Sequence, residues 1–169
     1  GVVDTVKVIE IMGRNAGWLT GAAALAREEA SDPPHLIYLP ERRVSREQIV
    51  SDVRATLDRY GYCVAAVSEG ITDETGEGYG DPTGKIDAFG HAAKLGVIES
   101  VAATIENALR IRPRFDKPGY LQRSFAELIS PVDREEAYQA GVEGVKAACA
   151  GATGQMISFE RLPGPVYAI

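Results

Sequence analysis

A chain of 169 residues with 45% hydrophobic content is long enough to bury one full core. Its 24 acidic against 18 basic residues give a formal charge of −6, which excludes a general nucleic-acid binder, whose phosphate contacts need a basic footprint. No apolar stretch is long enough to span a bilayer and no basic segment followed by an apolar core opens the chain, so a soluble, cytoplasmic protein is expected. The two cysteines, Cys63 and Cys149, lie in apolar and Ala-rich runs and read as buried residues. Without a CxxC pair or a Cys/His cluster, a thiolate-held metal is not expected. The opening Gly1-Val2-Val3-Asp4 carries no initiator Met and reads as a piece of a longer chain.

The β-branched run from Val6 to Ile11 predicts a strand that ends at Met12-Gly13, where glycine permits a sharp turn. From Ala16 to Ala30 the residues are mostly Ala and Leu and predict a helix, which Asp32-Pro33-Pro34 stops. Leu36 to Leu39 reads as a short buried strand closed by Pro40-Glu41. Ser45 with Gln48 three places on makes a capping box, and Ile49, Val53 and Leu57 at four-residue spacing predict a helix ending near Tyr60-Gly61. Cys63 to Val67 is the next strand, Gly70 to Lys85 an exposed, Gly-rich acidic loop, and Ile98, Val101, Ala102, Ile105 and Leu109 mark another helix. Pro113 and Pro118 bracket a loop. A last helix is expected to start at Asp133 with Glu136 at the reciprocal capping position and Ala137, Ala140, Gly141, Gly144 and Ala148 on one close-packing face, and Gln155 to Glu160 reads as a closing strand. The alternation of strands and helices implies an α/β fold with a mainly parallel sheet and helices on both faces. With no internal repeat and no linker, residues 1–169 read as a single domain.

Three places carry binding chemistry. The turn Met12-Gly13-Arg14-Asn15-Ala16-Gly17 between strand and helix leaves backbone N–H groups for an oxyanion or hydroxyls, with Arg14 adding a fork of donors; the same spacing fits an ordinary turn with a surface Arg. Glu41 stands at the carboxyl end of a buried strand, where α/β sheets place ligand-binding groups, and equally fits a solvated carboxylate beside Arg42 and Arg43. Between Arg112 and Arg123 four cationic side chains collect in an acidic protein, the best phosphate-binding stretch in the chain, although a charge run is by itself a solvated face. His35 and His91 have no neighbours that suggest a triad and read as structural. The acidic loop with Asp73, Glu74, Glu77 and Asp81 lacks EF-hand spacing.

Taken in order, Val8 to Trp18, Pro40-Glu41 and Gly119-Tyr120-Leu121-Gln122-Arg123-Ser124 resemble the phosphofructokinase family, with further matches at Val67-Ser68-Glu69-Gly70, Asp87-Ala88-Phe89-Gly90-His91 and Asp133 to Arg161. The resemblance implies a phosphofructokinase-like fold and assigns fructose 6-phosphate binding to Met12, Gly13, Arg14, Glu41, Tyr120, Leu121, Gln122 and Arg123. Arg114 aligns with an Arg that reaches the 6-phosphate of a neighbouring subunit's sugar, and Arg14 with one that stabilises charge on the transferring phosphoryl group. Tyr120 in place of His and Asn15-Ala16-Gly17-Trp18 look like the diphosphate-dependent branch. A second phosphate-binding Arg of the ATP-using relatives falls at Thr5, with Lys7 nearby.

The donor-cradling Gly-Gly loop and the segment with the catalytic base and the magnesium-linked carboxylate would lie upstream of Gly1. The expectation is therefore the substrate-binding portion of a glycolytic, homo-oligomeric 6-phosphofructokinase that uses Mg2+, held mainly by the upstream part, and takes diphosphate or ATP as donor. The alternative is a non-catalytic sugar-phosphate-binding or regulatory module.

Overall fold

The computed structural model describes residues 5–80, 82–86, 92–94 and 96–167, with 82–86 and 92–94 described by their backbone alone. The match at Asp87 to His91 and the opening Gly1 to Asp4 lie outside the described residues. Contacts divide the chain into two compact units, Gly1–Gln122 and Arg123–Ile169, a boundary that no linker announces in the sequence.

The first unit is built on a sheet of four strands, β1 (Val6–Ile11), β2 (Leu36–Tyr38), β3 (Cys63–Ser68) and β6 (Arg114–Asp116), in the order β2-β3-β1-β6. All the pairings are parallel, as strands joined through helices must be. Strand β1 alternates buried and half-buried residues, with Val6, Val8 and Glu10 on the covered face. Helices α2 (Arg46–Tyr60) and α3 (Val97–Leu109) pack on each other. Helix α1 (Trp18–Ala22) touches β2 and β3. Right-handed crossovers send the β1-to-β2 connection to one face and the β2-to-β3 and β3-to-β6 connections to the other. The α2 and α3 side holds the core, in which Val6, Val8, Ile49, Val53, Val67, Ile98, Val101 and Ile105 are fully buried. On the α1 side Trp18 and Leu25 remain 85% and 86% exposed.

Local signals explain most of these elements. Ser45 caps α2 by accepting from the Gln48 amide at 3.0 Å, Ile49, Val53 and Thr56 face the core, and Gly61 ends the helix at φ 78°. The Gln48 side chain donates to Asp52 at 2.6 Å, so its amide serves a helical neighbour. Helix α1 is shorter than expected: it ends at Ala22, and a 3₁₀ turn over Ala23–Ala26 replaces the rest of the predicted Ala16–Ala30 helix. Within the acidic loop, Asp73 accepts from the amides of Thr75 and Glu77, and part of the expected loop forms strand β4 (Pro82–Ile86), antiparallel to β5 (Ala92–Lys94). Buried Tyr79 anchors this segment by donating its hydroxyl to the Val44 carbonyl at 2.6 Å, and burial pushes its phenol pKa up to about 12.

In the second unit, helix α5 (Pro131–Cys149) is capped by Ser130, which accepts from the Asp133 amide. Asp133 is thus an inner residue of the first turn rather than the cap, because the preceding Ser-Pro pair supplies both a cap oxygen and a pre-set φ. The expected strand at Gln155–Glu160 is irregular, for it finds no strand to pair with among the described residues. Instead the tail runs back along α5, where Tyr167 donates to Glu136 at 2.7 Å. Of the small-residue face only Ala140 and Gly144 are half-buried, and no described residue of this unit is buried. Cys63 is buried and Cys149 is exposed, so the expectation of two buried thiols holds for the first alone. Among the described residues no helix is long and apolar enough to cross a membrane.

Tyr79→Phe leaves the Val44 carbonyl buried without its donor, and a loss of about 1–3 kcal/mol in urea unfolding is expected. A change below a few tenths of a kcal/mol would show that the hydroxyl does not anchor the loop.

Candidate functional site

Two adjacent strands, β1 and β3, end side by side, and the connections that leave them go to opposite faces of the sheet, which opens a crevice at their carboxyl ends. The ladder runs one step past the strands, where the Glu69 amide donates to the Ile11 carbonyl at 3.1 Å. Beyond it the turn Met12-Gly13-Arg14 is held almost entirely by residues from elsewhere. The Met12 amide donates to Gln122 Oε1 at 3.1 Å, the Gly13 amide to Glu69 Oε1 at 3.2 Å, and Ser68 Oγ donates to the Gly13 carbonyl at 2.6 Å. Within this turn the Met12 and Gly13 amides are therefore taken by side chains of the same chain.

Close packing forces glycine at two places in the crevice. Gly13 has φ 131°, and a Cβ on it would lie 2.6 Å from the Ala16 carbonyl oxygen. A Cβ on Gly70 would meet the Arg14 carbonyl oxygen at 1.9 Å, so two backbones touch there and no side chain fits.

The crevice contains a cavity of about 520 Å³ lined by Glu10, Arg14, Asn15, Glu69, Gly70 and Lys117, among others. Glu10 is a buried carboxylate: its Oε1 lies 2.8 Å from Lys117 Nζ, and its Oε2 accepts the Ile98 amide at 3.1 Å, at the start of α3. The hydrogen bond to Glu10 holds the Lys117 ammonium above its usual pKa. The Glu10 and Lys117 charges thus answer each other, which leaves Arg14 as a cation for an anionic oxygen and Glu69 as an acceptor for hydroxyls. Glu69 spends one lone pair on Gly13 and keeps others for a ligand.

Met12, Gly13 and Arg14 are brought together with Gln122, whose side chain braces the turn. Glu41 lies apart from the cavity lining: its Oε1 accepts the Gly17 amide at 2.7 Å, so it fixes the start of α1. Arg114 lies on β6 opposite Lys7. Lys7 itself is engaged with Asp116 at 2.5 Å. Tyr120 and Leu121 are 80% and 73% exposed, on either side of the start of the short helix α4 (Leu121–Ser124), which also carries Arg123. His35 accepts the Val64 amide on Nδ1 at 3.0 Å and packs at a tilt against Tyr60 and edge-on against Tyr62.

Sequence reasoning gave no role to Glu69 or Glu10, and it counted Lys117 among the cations of the phosphate-binding stretch, whereas here Lys117 pairs with Glu10. For Glu69 the signal existed, because the argument that singled out Glu41, a carboxylate at the carboxyl end of a buried strand, applies to it equally. Among the described residues no group of three or more His, Cys, Asp or Glu is placed to hold a metal ion.

A parallel α/β sheet with a polar crevice at the carboxyl ends of its strands defines a small-molecule-binding class of protein. Comparison narrows the class, since a profile of the family described as Phosphofructokinase matches residues 2–148. The chain belongs to the phosphofructokinase family. It is 38% identical over 162 residues to the pyrophosphate–fructose 6-phosphate 1-phosphotransferase of Xanthomonas campestris pv. campestris (strain B100), a match covering 96% of this chain and 39% of that protein. The ATP-dependent 6-phosphofructokinase of Mycobacterium tuberculosis (strain ATCC 25618 / H37Rv) is 30% identical over 157 residues, covering 92% of this chain and 43% of that protein. The solved pyrophosphate-dependent phosphofructokinase from Marinobacter aquaeolei superposes with a TM-score of 0.72 at 30% identity, covering 99% of this chain and 38% of that one. The chain thus spans about two fifths of the length of the relatives it matches.

Gly70→Ala should displace the Arg14 backbone and destabilise the unit by about 1–3 kcal/mol, as overpacking does. Amide chemical shifts of Gly13 and Arg14 check this, and unchanged shifts in the variant would contradict the close approach.

Proposed function

We propose that this chain is the sugar-phosphate-binding part of a phosphotransferase that moves a phosphoryl group from diphosphate to the 1-hydroxyl of fructose 6-phosphate. The carrying observation is that Arg14 and Glu69 face one cavity at the carboxyl ends of β1 and β3, on residues that match the family. Diphosphate is favoured as donor because the relative at 38% identity is named for pyrophosphate and the ATP-dependent one stands at 30%.

In this reading Glu69 accepts sugar hydroxyls, and Gln122 and Glu69 hold the Met12-Gly13 backbone in place. Glu41 acts one step removed by fixing Gly17. Arg14 stabilises charge on the phosphoryl group in flight, which is where a fixed cation lowers the barrier most. Arg123 takes the sugar's 6-phosphate, for which the guanidinium fork is suited, Tyr120 hydrogen-bonds the sugar, and Arg114 reaches the 6-phosphate of a neighbouring subunit's sugar. The general base, the donor loop and the carboxylate that binds Mg2+ belong to an upstream part, and the complete enzyme is a homo-oligomer. Phosphoryl transfer needs both partners positioned together, so this chain alone is expected to be inactive.

The test is a coupled assay on the full-length protein that carries this chain, with fructose 6-phosphate and either diphosphate or ATP. Arg123→Ala should raise KM for the sugar phosphate about tenfold to a hundredfold, the equivalent of losing a charge-assisted bond of about 1.5–3 kcal/mol. Arg14→Ala should lower kcat about a hundredfold or more. Glu69→Gln should raise the sugar KM more than Glu41→Gln does. Absence of turnover with both donors, together with retained binding of fructose 6-phosphate, would instead favour the non-catalytic module.

A further inference from the structure

We propose that Lys117, acting through the buried carboxylate of Glu10, is a positioning residue that sets the stretch Gly119–Gln122 against the turn Met12–Arg14; the inference rests on the sugar-phosphate reading of this site. Strand β6 is three residues long, lies at the sheet edge and buries none of its side chains, so apolar packing does not hold it. Its register with β1 pairs Lys7 with Arg114, Val8 with Phe115 and Ile9 with Asp116. One step further places Lys117 opposite Glu10, and there the two side chains meet at 2.8 Å.

The exposures of the two groups differ in a way that matters. The Glu10 side chain is 5% exposed and that of Lys117 49%, so the carboxylate depends on its protein partners while the ammonium can still reach water. A buried charge stripped of one partner is strongly unfavourable, and the three elements that meet at Glu10, namely β1, the start of α3 and the end of β6, are therefore tied together. The neighbouring pair of Lys7 with Asp116 is more exposed on the acid side, at 61%, and is a weak tether.

Two residues beyond Lys117, Gly119 turns the chain at φ 55°. Gln122 then returns to β1, with Oε1 on the Met12 amide at 3.1 Å and Nε2 donating to the Glu10 carbonyl at 3.5 Å. Residues 117–122 are thus pinned at both ends to the stretch 10–12, by the Glu10 side chain at one end and by backbone atoms of Glu10 and Met12 at the other. Loss of the Lys117 anchor frees the loop to pivot about Gln122, and the polar side chains it presents lose their place relative to Arg14. The raised pKa of Lys117, caused first by its hydrogen bond to Glu10, agrees with an ionised pair at neutral pH.

Lys117→Met and Lys117→Arg, made in the full-length protein, test this. For Lys117→Met the KM for fructose 6-phosphate should rise about tenfold, while kcat and the donor KM stay within about threefold of the parent; Lys117→Arg should recover most of the loss. In the present chain, hydrogen exchange of the Met12 amide should quicken in the Met variant and not in the Arg variant, with the Cys63 amide, which donates to the Thr5 carbonyl between β3 and β1, unchanged in both. An unchanged sugar KM with an unchanged Met12 amide overturns the proposal. So does a parallel rise of sugar and donor KM with lowered thermal stability, which marks general destabilisation. If the full-length parent shows no turnover with fructose 6-phosphate, the functional reading falls and the exchange data decide alone: selective quickening at Met12 supports the clamp, and its absence overturns it.

Discussion

At Gly70 the chain passes so close to the carbonyl of Arg14 that a single added carbon would sit 1.9 Å from that oxygen, and the geometry of the whole crevice follows from this approach. It is possible because β1 and β3 are neighbours whose ladder persists one residue past both strands. Ser68 and Glu69 then take the carbonyl and the amide of Gly13 in turn. The direction in which Arg14 leaves the backbone is accordingly dictated by the end of β3, fifty-odd residues away, and not by the residues of the turn. On the proposed function Arg14 meets developing charge, and such a group must be fixed before the reaction begins; a backbone packed against Gly70 and held by three side chains meets that condition.

Glu10 imposes a second constraint. Strand β1 places it on the same covered face as Val6 and Val8, where an unpaired carboxylate would be costly. Its two oxygens are answered by the first turn of α3 and by Lys117. The amide end of a helix favours negative charge, so α3 starts without a side-chain cap of its own: Gly96 occupies that position and the strand supplies the oxygen. The helix, the strand and the edge segment share one charge centre, which also keeps the floor of the cavity near neutrality.

What was legible in the sequence was local. Helix α2 carries its cap, its apolar repeat and its terminal glycine within seventeen residues, and of the expected capping box only the Ser45 half forms. Strands β1 and β3 announce themselves by β-branched and apolar runs that only a covered parallel sheet accommodates. Pairing across the chain was not legible. Strand β6 is Arg-Phe-Asp, with no apolar run to mark it, and it exists because β1 offers a free edge. The stretch 155–160 has the look of a strand but pairs with no other strand among the described residues and stays irregular. The start of α5 was misplaced by three residues because Asp133 and Ser130 are both competent caps and Pro131 decides between them. In the site, the motif residues Met12 to Arg14 and Gln122 do converge, yet the carboxylates lining the cavity are Glu10, paired with Lys117, and Glu69, while Glu41 accepts the Gly17 amide.

The occupied amides change where recognition of an anion has to come from. In many α/β proteins the strand-to-helix turn itself cradles a phosphate with free N–H groups. Here the Met12 and Gly13 amides are taken by Gln122 and Glu69, α1 is only five residues long, and its Gly17 amide is taken by Glu41. The chain as a whole repels anions, with a formal charge of −6, and long-range steering toward it is unfavourable. On the proposed function, attraction for a phosphorylated sugar is then short-ranged and falls chiefly to individual guanidinium groups. Their fork geometry discriminates phosphate from other anions where a diffuse positive field does not. Their reach beyond roughly 8–10 Å is screened at physiological salt. A site of this kind selects by contact, and contact requires that each Arg be set in place by neutral or self-paired surroundings, which is what the Glu10–Lys117 pair and the glycine-lined turn provide around Arg14.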